Sequence, residues 1–416
     1  MFVFFHVVNN IKGPKLMEKS RNATISDLEN SWDIIVVGGG ITGAGILKIA
    51  SQCGFKTVLL EANDFSFGTS SRSSKLIHGG FRYLRNRQFG VSRESVHERE
   101  YLLNTAPNLI NSLPFLLPGY QNEKPTLQQL GIGVIIYDLF AKHWKHSRFS
   151  PDQIRNMMPA LRQDRLLGAY QYYDALMDDS AVVLRLVNES SRLGSTALNY
   201  MTVKQLLRDR TGYCHGVLVK DSSTDAGIYK ELLSKVVINA TGPWCDTLRS
   251  SIGLQGIVRK SRGSHLIFPA SKIPLNQAVT LYHPSDNRVM FAIPWQGTVI
   301  VGTTDLDHSD TEAEEPFATQ QEIDYLLSAI RHNFPTLGIT QSDILSTFSG
   351  LRPLVCQASK ENPSAVSRRH VIFEEDGLIT VSGGKFTTFR IMAQQVMQIA
   401  MKRFSALRKS GWRKTS

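Results

Sequence analysis

Gly38, Gly40 and Gly43 stand at the spacing G-x-G-x-x-G, directly after the apolar run 33–37, and Glu61 closes the next apolar run, 57–60. That spacing suits a pyrophosphate. Gly38 permits a tight turn, Gly40 lets a phosphate approach the backbone, and Gly43 lets the following helix pack close to the strands. The phosphates then sit at the positive end of that helix. Glu61 is placed to accept hydrogen bonds from an adenosine ribose, and its charge disfavours a 2′-phosphate. An ordinary glycine-rich turn can carry the same three glycines. The strand, helix, strand and terminal acid around them favour dinucleotide binding, with NAD and FAD both open.

A second group of reactive side chains follows Glu61. Serines and threonines crowd residues 69–74, and Lys75, His78, Gly79, Gly80, Arg82 and Tyr83 come next. A neutral histidine can take a hydroxyl proton near neutral pH. Arginine binds a phosphate or carboxylate with paired hydrogen bonds. Within this stretch His78 is a candidate base and Arg82 a candidate cation. Cys53, Cys214, Cys245 and Cys356 are scattered with no C-x-x-C, so neither a zinc site nor a disulfide framework is expected. Reduced thiols in a cytosolic compartment are the simple reading.

The elements that must hold these residues can be read coarsely. Strands are expected at 33–37 and 57–60 with a helix between them that ends at Gly54, and helices at 92–106, 151–167 and 178–193. In the last of these, Leu184, Val187 and Leu193 read as one apolar side. Pro107, Pro114 and Pro118 are expected to break the chain into irregular structure. Strands are expected at 168–174, 202–208, 214–220 and 236–239, the last followed by the turn Ala240-Thr241-Gly242 and a helix from Pro243. Residues 262–305 read as β-rich, with a hairpin turning at Gln296-Gly297. A helix over 319–334 has capping-box spacing at Thr319 and Glu322. Strands at 370–373 and 378–381 lead into Gly383-Gly384-Lys385 and a final helix from about Phe386.

A chain of 416 residues exceeds one ordinary core, so two domains are expected. No apolar run approaches the roughly 20 residues that span a bilayer. The opening MFVFFHVVNN is a poor signal peptide. Residues 1–32 read as a tail that is disordered or mis-annotated, with Met17 a candidate true start and an apolar membrane-touching tag the alternative. The net charge is +11, and no acid follows Asp376, whereas Lys385, Arg390, Lys402, Arg403, Arg408, Lys409, Arg413 and Lys414 are basic. With Phe404 and Trp412, this end reads as attracted to an anionic membrane surface, and a solvated tail is the plainer alternative. No nucleic-acid module accompanies the charge, so no nucleic-acid partner is expected.

Ordered along the chain are VVGGGITGAG (36–45), LLEANDF (59–65), TSSRSSKLIHGGFRYL (69–84), NATGPW (239–244), RGSHLIFP (262–269), IPWQGTVIVGTTD (293–305), SGLRPL (349–354) and GGKFTTFR (383–390). In these pieces the chain resembles the FAD-dependent glycerol-3-phosphate dehydrogenases, within the glycine/D-amino-acid oxidase flavoprotein group. The resemblance implies an α/β fold, with a split Rossmann-like FAD-binding domain plus a β-rich α+β substrate domain. The FAD domain is expected at 33–100, 175–247 and 350–404, the substrate domain at 101–174 and 248–349, and a basic tail at 405–416.

The resemblance also implies roles. Gly38, Gly40, Ile41, Thr42, Gly43 and Glu61 match the FAD pyrophosphate and ribose site. Thr69, Ser70, Ser71, Ser74, Lys75, Gly79 and Gly80 match the loop beneath the flavin, and Gly242, Gly384 and Thr387 match its later contacts. Arg82, Tyr83, His265, Arg352 and Lys385 match the residues around substrate and flavin ring, which makes His265 the preferred base over His78 and Arg82 and Arg352 the candidate cations, and Asp305 ends the hairpin beside them. The implied reaction oxidises sn-glycerol 3-phosphate to dihydroxyacetone phosphate, with electrons passed to membrane quinone by a protein peripheral on the inner face of the cell membrane. A homodimer is a further expectation. Oxidation by oxygen, oxidation of another small 2-hydroxy or amino acid, and non-catalytic flavin binding are the rivals. Long family members continue past the GGKxTTxR helix into another helical domain, which puts contacts made by that domain in doubt here.

Overall fold

A computed structural model of the chain describes residues 28–80, 89–142, 144–223, 227–309, 312, 315–355 and 369–409. Two sheets dominate the described residues. The first runs in the order Val371–Glu375, Leu378–Ser382, Tyr229–Asn239, Ser31–Val37, Thr57–Leu60, Thr196–Leu198. Its inner pairs are parallel, with Val36 aligned to Leu59 on one side and Ile238 on the other. Parallel strands are covered on both faces, which is why these segments are continuously apolar. Ile34 and Val36 face a core with Leu47, Val381 and Met392, whereas Ile35 and Val37 face one with Val58, Val217 and Leu248. The helices Ile41–Gln52 and Phe389–Lys409 cover the first of these faces. Gly54 takes φ +74° just past the first helix, as the sequence suggests.

The second sheet runs Leu306–Asp307, Val258–Pro269, Thr298–Gly302, Val289–Trp295, Ala278–Tyr282, Ile110–Tyr120, Leu166–Met177, Leu76–Ile77. The expected hairpin turns at Gln296 and Gly297, both with positive φ. The helix Gln320–Asn333 carries the expected capping box and buries Leu326, Leu327 and Ile330 beneath this sheet.

Several expectations need correction. Pro114 and Pro118 lie inside an eleven-residue strand, Ile110–Tyr120. They are four residues apart, so the N–H groups they lack belong to the same edge. The parallel neighbour touches only Phe115 and Leu116, so neither missing N–H interrupts that pairing. The helix expected over 151–167 stops at Met157, because Pro159 drives Met158 out of helical conformation. In the helix Asp179–Arg192 the buried residues include Val182, Val183 and Val187, while Leu184 and Leu193 are exposed. The expected domain boundary at 350 cuts a strand, since Ser346–Val355 pairs throughout with Val258–Ile267 of the second sheet. Two charges of the basic end are tied down: Arg390 to Glu98 and Arg403 to Glu374. Phe404 is buried against Phe55 rather than free to meet lipid.

Candidate functional site

One cavity of about 1350 Å³ runs between the two sheets. It opens at the carboxyl ends of the parallel strands, where Val37, Leu60, Ala240 and Val381 meet it. Ligands of open α/β sheets bind in this position. Its volume exceeds the roughly 300–1,000 Å³ of pockets that hold one drug-sized ligand.

At the first end the backbone is built for close approach. A Cβ on Gly43 would fall 1.9 Å from the Gly38 carbonyl oxygen, so Gly43 is a packing glycine rather than a lining one. Gly38, Gly40, Ile41, Thr42 and Glu61 line the cavity. The Ile41 N–H donates to Ser70 Oγ at 2.9 Å, and the helical ladder begins with Ala44 N–H to Gly40 O. The amides of Thr42 and Gly43 therefore belong to the open, positive end of the helix. The Glu61 carboxylate accepts from Gly39 N–H at 2.6 Å and Asn63 N–H at 2.8 Å. Two oxygens offer about four acceptor positions, so capacity remains for ribose hydroxyls. Burial raises the pKa of Glu61 and the backbone N–H groups oppose that rise.

Around the middle, Thr69, Ser70, Ser74, His78, Gly80, Gly242, Gly384, Lys385 and Thr387 line the same cavity. Ser71, Lys75 and Gly79 are not among the lining residues. Ser71 Oγ donates to Phe67 O, and Gly79 N–H donates to Tyr137 Oη and Asp174 Oδ1. Lys75 Nζ is held by Asp179 at 2.6 Å and by Ser71 O at 2.7 Å. Lys385 Nζ donates to Ser95 Oγ at 2.7 Å.

At the far end lie His265, Arg352 and a cation the sequence reading missed, Arg288. Arg288 Nη2 donates to Asp305 Oδ2 at 2.7 Å, while Arg352 Nη1 lies 3.5 Å from Asp305 Oδ1. One buried carboxylate thus faces two guanidiniums, and Ser261 Oγ also donates to it. Arg288 precedes a strand as an isolated charge, which looks like a solvated strand end. Only the pairing of that strand with its neighbours turns it inward. Arg82 and Tyr83 lie outside the described residues.

His265 is buried and stacked on Phe348, with centroids 4.6 Å apart and planes at 12°. Burial first, then the positive charges of Arg352 and Lys75, push its pKa down to about 3. Its imidazole is therefore neutral at physiological pH.

The sequence pattern of the FAD dependent oxidoreductases matches residues 33–398. An aerobic glycerol-3-phosphate dehydrogenase of Staphylococcus epidermidis is 37% identical over 381 residues, covering 90% of this chain and 68% of that protein. The chain belongs to the FAD-dependent glycerol-3-phosphate dehydrogenase family.

Among solved structures, the glycerol-3-phosphate dehydrogenase from Bacillus halodurans complexed with FAD is 33% identical with a TM-score of 0.74. The match covers 91% of this chain and 66% of that one, so this chain spans slightly less than two thirds of that relative's length. Glycine oxidase from Geobacillus kaustophilus, 16% identical with a TM-score of 0.65, shares the fold. FAD is the family's cofactor, and the cavity fits it. The glycine turn and open helix end suit a pyrophosphate, Glu61 retains acceptor capacity for a ribose, and the remaining length reaches His265 and Arg352.

Proposed function

We propose that this dehydrogenase-family chain oxidises sn-glycerol 3-phosphate to dihydroxyacetone phosphate, using FAD held by the 33–61 unit and by the later segments near Gly242 and Gly384. The observation that carries the reading is one cavity joining the glycine turn to a neutral buried histidine beside two anchored arginines. Bound FAD supplies the acceptor for the substrate hydride.

The chain's own residues do the rest. Arg352 and Arg288 form the cationic end that receives the phosphate dianion, and the family resemblance gives Arg82 and Tyr83 a share in that role. Asp305 aligns two of those cations and leaves the pair with a net positive charge. His265 accepts the proton of the C2 hydroxyl. A dianion set against Arg352 offsets one of the charges that depress the histidine's basicity, so substrate binding itself makes His265 a better base. Lys385, which lines the cavity, would stabilise negative charge on bound flavin.

Electrons then pass to membrane quinone. Among the described residues no helix is long and apolar enough to cross a membrane. The helix Leu127–Ala141 suits a peripheral contact instead. Ile132, Ile135 and Leu139 form an exposed stripe on it, exposed Trp144 follows, and Lys142, Lys145 and Arg148 stand nearby. Apolar and aromatic side chains beside lysines match an anionic headgroup layer. Ile132 also lines the flavin cavity, which puts the apolar surface next to the redox site. This reading keeps the protein on the inner face of the membrane. The test is anaerobic mixing of the yellow protein with glycerol 3-phosphate. Bleaching is expected, and a flavin that stays oxidised would exclude this substrate.

A further inference from the structure

Ser74 has a position that cofactor binding does not explain. Its Oγ lies 2.8 Å from His265 Nε2, and both residues line the cavity. The other imidazole nitrogen, Nδ1, is buried and makes no hydrogen bond with any described residue. Phe348 covers one face of the ring. Gly302 closes on its edge, where a Cβ would fall 2.4 Å from His265 Cδ2. The ring therefore has one polar outlet, through Nε2 to the serine hydroxyl.

The serine is held for this contact from both sides. Ser73 Oγ donates to Asp179 Oδ2 at 2.7 Å, and Lys75 Nζ donates to Asp179 Oδ1 at 2.6 Å. Lys75 N–H donates in turn to Ser73 Oγ at 3.0 Å. Lys75 adopts a left-handed φ of +59°, rare for a residue with a side chain. A fully buried carboxylate at the start of the helix Asp179–Arg192 thus grips the two neighbours of Ser74 and fixes the backbone between them.

We propose that Ser74 relays the proton between the substrate hydroxyl and His265. The inference rests on His265 being the base. Nδ1 is sealed, so proton traffic must use Nε2. The productive tautomer carries hydrogen on Nδ1 and accepts at Nε2. The substrate hydroxyl gives its proton to Ser74 Oγ as Ser74 gives its own to Nε2. The C2–H bond breaks with its electron pair leaving as hydride to the cofactor, and C2–O becomes a carbonyl. Substrate is oxidised, the cofactor is reduced, the histidine ends as imidazolium and the serine is unchanged.

The experiment uses the flavin-loaded full chain, mixed anaerobically with glycerol 3-phosphate, with wild type, Ser74→Ala, Ser74→Thr and His265→Gln. Ser74→Ala should slow flavin reduction by at least about tenfold, since positioned proton transfer contributes roughly 10²–10⁴. Ser74→Thr, which keeps the hydroxyl, should recover most of the rate. In mixtures of light and heavy water the wild type should show two protons in flight. A second readout needs no turnover: the nitrogen-15 resonances of His265 should shift between wild type and Ser74→Ala. A wild-type inventory of one proton would overturn the relay, whatever the variants do. So would Ser74→Ala reducing at the wild-type rate while His265→Gln is slow, which leaves the base assignment standing. If His265→Gln reduces at the wild-type rate, the base assignment falls and the relay with it.

Discussion

Gly263 lacks a side chain where Arg352 needs the space: a Cβ built on Gly263 would fall 2.2 Å from Arg352 Nη2. The two face each other across paired strands, with Gly263 opposite Gly350 and Arg352 opposite Ser261. Gly263→Ala should therefore push the guanidinium out of line without unfolding the sheet. The KM for glycerol 3-phosphate should rise by roughly tenfold, in line with loss of part of a charge-assisted hydrogen bond. Flavin content should stay at the wild-type level. Steady-state kinetics with a flavin absorbance reading checks both.

Asp305 holds Arg288 and faces Arg352. Asp305→Asn keeps the shape and removes the charge that aligns them. Two guanidiniums left without their counter-ion should repel, and kcat/KM should fall by about 10–100-fold, equivalent to the roughly 1.5–3 kcal/mol of a hydrogen bond to a charged group. A carboxylate analogue of the substrate should be affected less than the phosphate. Inhibition constants for the two anions, compared in wild type and variant, test this.

His265 also makes a prediction about pH. Its folded pKa of about 3 lies below the ordinary 6.5. Between those values the unfolded chain binds a proton that the folded chain refuses. Stability from this group is thus lost as pH falls through that window, by at most about 1.4 kcal/mol per pH unit. His265→Gln should flatten that part of the profile. Urea unfolding at about pH 7 and about pH 5 gives the comparison.

Gly40 and Gly43 should separate binding from folding. A Cβ on Gly40 meets only Ser70, at 3.1 Å, whereas one on Gly43 collides with the Gly38 carbonyl at 1.9 Å. Gly40→Ala should give folded protein that purifies with little flavin. Gly43→Ala should force the helix off the strand and lower the melting temperature as well. Flavin absorbance and thermal melts distinguish the two outcomes.

The exposed stripe on Leu127–Ala141 predicts a membrane contact. Ile135→Glu combined with Leu139→Glu should reduce co-sedimentation with anionic vesicles. Glycerol 3-phosphate should still bleach the flavin, because neither side chain lines the cavity.

The sequence alone was enough to show the glycine turn and the acid that line one end of the cavity. A tight turn, a close approach and a helix packed close to its strand are local demands, so Gly38, Gly40 and Gly43 announce them in order, and period-two and helical patterns marked most of the strands and helices around them. It was also enough to place His265 and Arg352 among the candidates, through resemblance. Other properties depended on contacts between segments far apart in the chain. Ser74 and His265 are 191 residues apart, and only the tertiary fold brings the loop before Leu76–Ile77 to the strand Val258–Pro269. Pro114 and Pro118 looked like breakers because a single strand does not reveal which of its edges goes unpaired. Arg390 and Phe404 looked like parts of a tail free to meet lipid. Burial and pairing are properties of the folded chain, and those residues took their roles from partners that no local pattern encodes.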